Sequence, residues 1–230
     1  MMRATLIAIM CLVAPSWAAQ PPQRVQMDFA MTWGAMHLGD GRDVLEHDGQ
    51  RYSVISESKT SGAAALLYKV DIRRESRGLI TKDGLRPLHF TEDRTNKPKR
   101  AADFDWESKL IKLTDGADIE TVPLPDNTFD QTSFAYAFAF RPASDEILTV
   151  YLTDGRKISD YKYKFIGREK LKISLGELDT VHFQKIREAD DKRGFDVWLA
   201  IGHHYLPVRI RFIEKNGRVL DSTATAISYQ

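Results

Sequence analysis

Apolar and polar residues alternate along much of this chain. In residues 161–165, 181–184 and 208–212, aromatic or aliphatic side chains occupy every second position, with mostly charged or polar residues between them. A period of two is typical of strands with one buried and one solvated face. Further strands are predicted at 25–33, 51–58, 70–79, 88–95, 102–106, 110–114, 147–153, 195–201 and 219–228.

Six pairs of Asp or Asn followed by glycine punctuate these segments, and such pairs favour tight hairpin turns. They are Asp40-Gly41, Asp48-Gly49, Asp83-Gly84, Asp115-Gly116, Asp154-Gly155 and Asn216-Gly217. We interpret Asp154-Gly155 as a type I′ turn. A meander this long must curl or split into two layers. The predicted fold class is therefore mainly β: a curved antiparallel sheet, an open or half barrel, with one or two short helices.

Two segments depart from the strand pattern. Residues 61–68 are rich in alanine, which favours a short helix. In residues 130–140, aromatic residues recur at every second position, as in a strand, but alanines stand between them and Asp130 can cap a helix. We predict a helix over 130–140. Because it would be apolar all round, we expect it to be buried against the concave face of the sheet.

The N-terminus has the pattern of a secretory signal peptide. Arg3 precedes an apolar run to Ala14, and small residues at Ser16 and Ala18 fit a cleavage site after Ala18. We therefore expect a signal peptide at 1–18 and one β-rich periplasmic domain at 19–230; a buried N-terminal helix is the alternative. The single cysteine, Cys11, lies in the apolar run after Met10, which is too large for a lipidation signal.

Charge limits the classes of partner. The chain has 33 basic and 32 acidic residues, and loss of Arg3 with the signal peptide leaves them equal. A nucleic-acid-binding protein usually has a clear basic excess, and general attraction to anionic lipid also requires one. The apolar run before Pro15 is too short to span a bilayer. We therefore expect neither nucleic-acid binding nor a membrane span.

Catalytic patterns are missing from the sequence. It contains neither the H-E-x-x-H pattern of zinc proteases nor the G-x-S-x-G pattern of serine hydrolases. His203-His204 is the only histidine cluster, and a solvated loop is the alternative to metal binding there. Carboxylate pairs such as Asp103 and Asp105, or Asp190 and Asp191, leave a glycosidase pair open, since carboxylate separation is a three-dimensional property. We predict no catalytic residue, no metal and no cofactor.

Large apolar and aromatic residues are the most prominent feature that remains. They form either plain core or the lining of a concave pocket, because curved sheets that enclose a helix often hold ligands. Tyr136 is the best candidate for such a lining, since its hydroxyl needs a hydrogen-bond partner. The proposed lining residues are Leu67, Tyr68, Trp106, Phe134, Tyr136, Phe138 and Trp198.

Several short segments, in their order and spacing, resemble an exported bacterial family, the domain of unknown function 3108. The segments are 66–70, 83–88, 103–106, 153–156, 175–181 and 198–210. The resemblance covers nearly the whole chain after residue 18. It implies a periplasmic β-rich protein and brings no activity and no site residues. A weaker, fold-level likeness to periplasmic lipoprotein-carrier proteins implies a curved sheet wrapped around a helix.

Three functions are compatible with these patterns. The first is a non-catalytic periplasmic protein that binds a lipid or other apolar ligand, as an envelope carrier or chaperone. The second is an envelope hydrolase that uses carboxylates on the open face of the sheet. The third is a structural module that pairs an edge strand with a partner protein.

Overall fold

A single sheet of fifteen strands and two α-helices make up the part of the chain that is described. The computed structural model describes residues 20–67, 69–141, 146–188 and 190–230, so the predicted signal peptide lies outside it. No helix in these ranges is long and apolar enough to cross a membrane. The strands are β1 Arg24–Trp33, β2 Met36–His47, β3 Arg51–Thr60, β4 Asp71–Thr81, β5 Gly84–Arg94, β6 Arg100–Asp105, β7 Leu110–Asp115, β8 Asp118–Pro123, β9 Thr128–Asp130, β10 Ile147–Thr153, β11 Ile158–Ile173, β12 Gly176–Lys185, β13 Gly194–Ala200, β14 Leu206–Ile213 and β15 Val219–Tyr229. The helices are α1 Gly62–Leu67 and α2 Gln131–Phe140.

The sheet is the long curved meander that the sequence predicts. From β8 at one edge, the order runs β8 back to β1, then β15 back to β9 at the other edge. Every neighbouring pair is antiparallel except β9 and β10, which are parallel. The first and last strands pair at the middle of the sheet, where Val25 lies opposite Tyr229. The two outermost strands are not paired with each other, so the sheet is open.

One predicted turn is wrong. Asp40-Gly41 lies inside β2, a strand that the sequence analysis missed together with β8 and β9. Gly41 pairs with Phe29, and a Cβ atom at Gly39 would lie 2.1 Å from the carbonyl oxygen of Lys59. Gly39 therefore permits a close approach of the β2 and β3 backbones, whereas Gly41 in the Asp-Gly pair is an ordinary strand residue, where a Cβ atom would have its nearest neighbour at 3.5 Å.

The loop at Asp154-Gly155 is a turn, but not of type I′. Thr153 pairs with Ile158, so four residues connect β10 to β11. Gly155 has a φ of +87°, whereas a type I′ turn would also require a positive φ at Asp154, which is not observed. The Asp154 carboxylate instead accepts a hydrogen bond from the backbone N–H of Arg156 at 3.1 Å. The Asp-Gly pair predicts the positive φ of Gly155, but it does not predict that the loop has four residues.

Helix α2 begins where the sequence predicts, at the Asp130 cap. One oxygen of the Asp130 carboxylate accepts hydrogen bonds from the N–H groups of Thr132 and Ser133, at 2.9 and 2.8 Å. The other accepts from the hydroxyls of Ser76, at 2.6 Å, and Ser133, at 2.8 Å. Asp130 is fully buried, so these bonds both cap the helix and tie it to β4. The prediction of helix over strand is confirmed, as is the short helix α1.

The side chains of α2 pack on two sides of the sheet's interior. Ala135, Tyr136 and Ala139 join a core cluster built on β1, β2 and β3, with Met27 and Leu45 fully buried in it. Phe134 and Phe138 pack against β10, β11, β12 and β13, whereas Phe140 packs against the first cluster. The helix thus fills most of the concavity, because it has no polar face to leave in solvent.

Substitution of Gly155 tests how closely the loop between β10 and β11 packs against β6. A Cβ atom there would lie 2.8 Å from Cβ of Arg100 and 3.1 Å from the backbone nitrogen of Ala101. Gly217 has a similar φ of +83° with no neighbour within 4 Å. We expect Gly217→Val to cost about 1–3 kcal/mol for backbone strain alone. Gly155→Val should cost about 1–3 kcal/mol more, because the strand must also move. Denaturant unfolding of both variants measures this, and equal losses would contradict the contact with β6.

The pH dependence of stability tests the buried cap. Burial raises the pKa of Asp130, although the hydrogen bonds from Ser76, Ser133 and Thr132 act in the opposite direction. Because the pKa is higher in the folded protein than in the unfolded chain, about 3.9, protonation favours folding. We expect the unfolding free energy of the native protein to rise relative to that of Asp130→Asn as the pH falls from about 7 to about 4. Comparing the two proteins cancels the other carboxylates; a relative fall on acidification would contradict the prediction.

Candidate functional site

A pocket with aromatic walls opens at the end of the sheet where α2 begins. Its volume is about 280 Å³, and its residues come from α2, β10 to β14 and the loops beside them. The apolar residues that line it are Phe134, Leu152, Tyr161, Tyr163, Phe195 and Phe212. We refer to it as the aromatic pocket.

The rings of the aromatic pocket form a continuous series from floor to mouth. The ring centre of Tyr163 lies 5.0 Å from that of Phe134 and 5.6 Å from that of Phe195. Phe195 and Phe212 face each other across β13 and β14, with ring centres 5.0 Å apart at 72°. Phe134 and Tyr163 are buried, whereas 47% of Phe212 is exposed. Strand alternation explains this arrangement, since Tyr161 and Tyr163 project from the same face of β11.

Four basic residues surround the mouth of the aromatic pocket: Arg156, Lys157, Lys185 and Arg193. Arg156 donates to the Asp154 carboxylate from Nε at 3.0 Å and from Nη2 at 2.7 Å. The Lys185 amine contacts Asp191 and lies 4.6 Å from the centre of the Tyr161 ring. Within the described residues, Lys157 and Arg193 have no ion-pair partner. The mouth is therefore positively charged.

Titration does not change this picture near neutral pH. Burial raises the pKa of Asp154, but hydrogen bonds from Arg156 more than offset that effect and leave the pKa below its ordinary value. Hydrogen bonding to Asp154 raises the pKa of Arg156. Burial, with a smaller effect of Tyr161, raises the pKa of the Tyr163 hydroxyl, so the floor stays uncharged. The pocket combines a neutral aromatic floor with a cationic mouth.

A larger concavity lies elsewhere on the sheet and has a different character. Its volume is about 750 Å³, and charged residues of β1 to β5 dominate its lining. Opposite charges alternate across the strands, as in the pair of Arg42 Nε and Asp28 Oδ1 at 2.6 Å and the pair of Arg73 and Glu57. Phe29 contributes part of its apolar lining. Because five acidic and three basic residues line it, this trough suits an apolar ligand poorly.

Of the predicted lining residues on α2, the structure places Phe134 in the aromatic pocket. Phe138 is buried, with its ring stacked 5.2 Å from Phe183. Tyr136 is also buried, and its hydroxyl donates to the Asp43 carboxylate at 2.7 Å. The hydroxyl of Tyr136 does require a partner, as the sequence analysis argues, but the half-buried Asp43 carboxylate supplies it. The structure therefore puts Tyr136 and Phe138 in the core.

The two predicted tryptophans lie in other places. Trp106 is half-buried beside Phe104, and its Nε1 donates to the carbonyl of Pro87 at 2.6 Å. Trp198 is buried in the core cluster that contains Tyr136 and Ala139, whereas its neighbours Val197 and Leu199, on the other face of β13, pack in the cluster around Phe134 and Phe138. The structure does not bring these rings to the aromatic pocket.

The last two predicted residues are in or beside α1. Tyr68 and the side chain of Leu67 lie outside the described residues. Ligand binding by the seven predicted lining residues thus stays a prediction. Of those that the structure describes, Phe134 is the one that lines the aromatic pocket.

The face of Trp198 carries a polar ladder. Its ring stacks on His182, with centres 4.2 Å apart, and the guanidinium carbons of Arg209 and Arg211 lie 5.0 and 5.6 Å from it. His182 also contacts Asp196 at 2.8 Å. Cross-strand pairing accounts for each of these contacts, so we assign the ladder to sheet stability.

Candidate catalytic and metal-binding residues have structural partners. Asp105 accepts hydrogen bonds from the backbone of Glu107 and Ser108, at 3.1 and 3.0 Å, and thereby forms a turn. Nδ1 of His203 lies 2.7 Å from the hydroxyl of Tyr229, at the end of a short 3-10 helix, Ile201–His203, where the sequence predicts a loop. Among the described residues, no group of three or more His, Cys, Asp or Glu side chains is arranged to hold a metal.

Sequence reasoning missed most of the aromatic pocket. The sequence pattern places Phe195, Phe212 and Leu152 in strands only, and it does not connect the basic residues at the mouth with each other. The alternation of Tyr161 and Tyr163 is a signal for one wall. Nothing local indicates that β11, β13 and β14 meet the start of α2, because that depends on pairing between distant strands.

Comparison with known proteins supports the fold. A β-barrel-like protein of domain of unknown function DUF1849 from Brucella abortus is similar over 91% of this chain and 99% of its own, with 8% identity and a TM-score of 0.62. The MucA/MucB complex of Pseudomonas aeruginosa gives 12% identity and a TM-score of 0.36. The matched region covers 92% of this chain and 54% of the matched chain of that complex. A lipoprotein-sorting protein domain from Vibrio parahaemolyticus gives 8% identity and a TM-score of 0.25, at coverages of 90% and 85%. The fold similarity rests on the first of these.

The sequence matches no curated protein significantly. A family model does match it, over residues 28–223, and its description is "Protein of unknown function (DUF3108)". The match includes nearly all strands of the sheet, together with α2. The chain therefore belongs to the DUF3108 family.

Proposed function

We propose that this protein is a non-catalytic envelope protein that binds an apolar ligand in the aromatic pocket, in the role of a carrier or chaperone. The observation that carries the proposal is the exposed aromatic wall. Phe212 leaves 47% of its surface in solvent beside a partly buried Phe195, although a ring of this size gains free energy when it is covered. Concave, mostly apolar sites with few polar groups are typical of ligand binding.

The filled interior restricts where such a ligand can bind. Tyr136 and Phe138 of α2 are buried in the core clusters and line neither of the two pockets described above. Space remains beside Gln131 and Phe134, at the beginning of the helix. The ligand would therefore enter from the end of the sheet and lie against Tyr163.

The arrangement of carboxylates supports a role without catalysis. Asp154 is the single carboxylate among the described residues that line the aromatic pocket, and Arg156 holds it with two hydrogen bonds. Glycoside hydrolysis generally needs two carboxyl groups on opposite sides of the scissile bond. A carboxylate held by an arginine is also a weak base. The envelope hydrolase is accordingly the less favoured function.

The strand-pairing module is less favoured as well. The outermost strand β8 is mostly exposed and has a free edge, as that function requires. It is six residues long, carries Asp118 and Glu120, and ends at Pro123. Short edges with charges and proline are typical of strands that are protected from pairing.

The compartment follows from the sequence pattern. An apolar run after Arg3 and small residues at Ser16 and Ala18 support export to the periplasm and cleavage after Ala18. Beyond Cys11 the chain contains no cysteine, so its fold needs no disulfide in an oxidising compartment. N-terminal sequencing of the exported protein, with a first residue at Ala19 or Gln20, is the expected result.

Binding of the neutral dye N-phenyl-1-naphthylamine tests the proposal by fluorescence titration. We expect binding to the native protein and an affinity at least fivefold lower in Phe212→Ser, since about 1 kcal/mol of apolar contact is lost. Ser159→Phe should weaken binding similarly by filling the pocket, which Ser159 lines. Trp33→Ser is the matched control, because Trp33 is 40% exposed but outside the pocket. Absence of dye binding, or equal affinity in all four proteins, would rule out the pocket as the site.

A further inference from the structure

The mouth of the aromatic pocket has an excess of positive charge that is local. Four cations and one carboxylate are among the residues that line the pocket. Over the whole chain, basic and acidic residues are nearly equal, at 33 and 32. The excess is therefore a property of this end of the sheet and not of the average surface.

Two of these cations are available to a ligand. Arg156 is held by Asp154, and Lys185 by Asp191. Lys157 and Arg193 are exposed and have no ion pair within the described part of the chain. Each can contact an anion at the mouth without first losing an ion pair, although the hydrogen bond from Lys185 and, to a smaller extent, the charge of Arg193 lower the pKa of the nearby Asp191.

Charge and apolar surface are separated along the depth of the pocket. The floor residues Phe134 and Tyr163 are buried, whereas Lys157 and Arg193 are exposed at the opening. Lys185 lies between the two regions, with its amine 4.6 Å from the centre of the Tyr161 ring. A ligand that fits this gradient has an apolar end and an anionic end.

We infer that the ligand of the aromatic pocket is a single-chain amphiphile with an anionic head group, whose chain contacts the aromatic floor and whose head group contacts Lys157 and Arg193. This inference rests on the proposed function and deepens it. An arginine presents a planar set of donors that matches a carboxylate or a phosphate, and a lysine adds a point charge. The cavity, about 280 Å³, is at the lower limit of small-molecule sites, so it admits one chain and not a whole two-chain lipid.

Displacement of the neutral dye by ligands with matched chains tests the head group. The ligands are decan-1-ol, decanoate and decyl phosphate, at about pH 8, where both acids are ionised. We expect the two anions to displace the dye at concentrations about tenfold lower than the alcohol, a difference of about 1.4 kcal/mol. Added salt should reduce this difference, because both cations are exposed. The stronger of the two anions distinguishes a fatty acid from a phosphorylated lipid as the natural source.

A matched pair of double variants tests the two cations. In Lys157→Gln/Arg193→Gln, decanoate and decyl phosphate should bind no more tightly than decan-1-ol, while the affinity for decan-1-ol stays unchanged. Lys164→Gln/Arg187→Gln removes the same charges from exposed positions outside the pocket and should retain the tenfold preference. Dye binding by each variant confirms that the pocket is folded.

The outcomes separate the two proposals. If decan-1-ol binds as tightly as the anions, or if the control pair loses the preference equally, the anionic head group is refuted and the apolar site stands. If neither the dye nor any of the three ligands binds, the proposed function fails together with the inference.

Discussion

One buried carboxylate fixes the position of the helix on which the interior depends. Asp130 accepts four hydrogen bonds, two from the first turn of α2, one from the hydroxyl of Ser133 and one from Ser76 on β4. Ser76 in turn lies 3.1 Å from the hydroxyl of Tyr52 on β3. An apolar helix could rotate or slide in an apolar cavity with little change in contact area. The high cost of burying a carboxylate without partners removes that freedom.

The helix that Asp130 holds determines where binding can take place. A second polar contact, from Tyr136 to Asp43, ties the middle of α2 to β2. Between these contacts the aromatic rings of α2 fill the concave face of the sheet. A curved sheet that would otherwise enclose a central cavity is thereby left with a smaller aromatic pocket at one end. At that end, packing leaves 47% of Phe212 exposed.

The loop between β10 and β11 contributes both to the fold and to the mouth of the aromatic pocket. Arg100 lies 3.1 Å from the carboxylates of both Glu92 and Asp115 and 3.7 Å from that of Asp154. The carbonyl of Gly155 also accepts a hydrogen bond from the backbone of Thr114 at 3.0 Å. The loop between β10 and β11 is therefore held against β6 and β7, from the far half of the sheet. Because Lys157 follows in the same loop, this contact between the two halves of the sheet also positions a charge that we assign to ligand binding.

The sequence by itself determined the local structure of this protein. Alternation placed most strands, and Asp130 with the following alanines indicated a helix where aromatic spacing suggested a strand. These signals act over a few residues, so they are readable without the fold. Only the tertiary structure decided that Tyr136 belongs to the core and that Phe212 lines a pocket. It also decided that the ring of Trp198 packs in a different cluster from its neighbours Val197 and Leu199. The contacts responsible join residues 54 positions apart, for Ser76 and Asp130, and 93 apart, for Asp43 and Tyr136. A local pattern shows which face of a strand is buried, but the pairing of distant strands decides which residues that face is buried against.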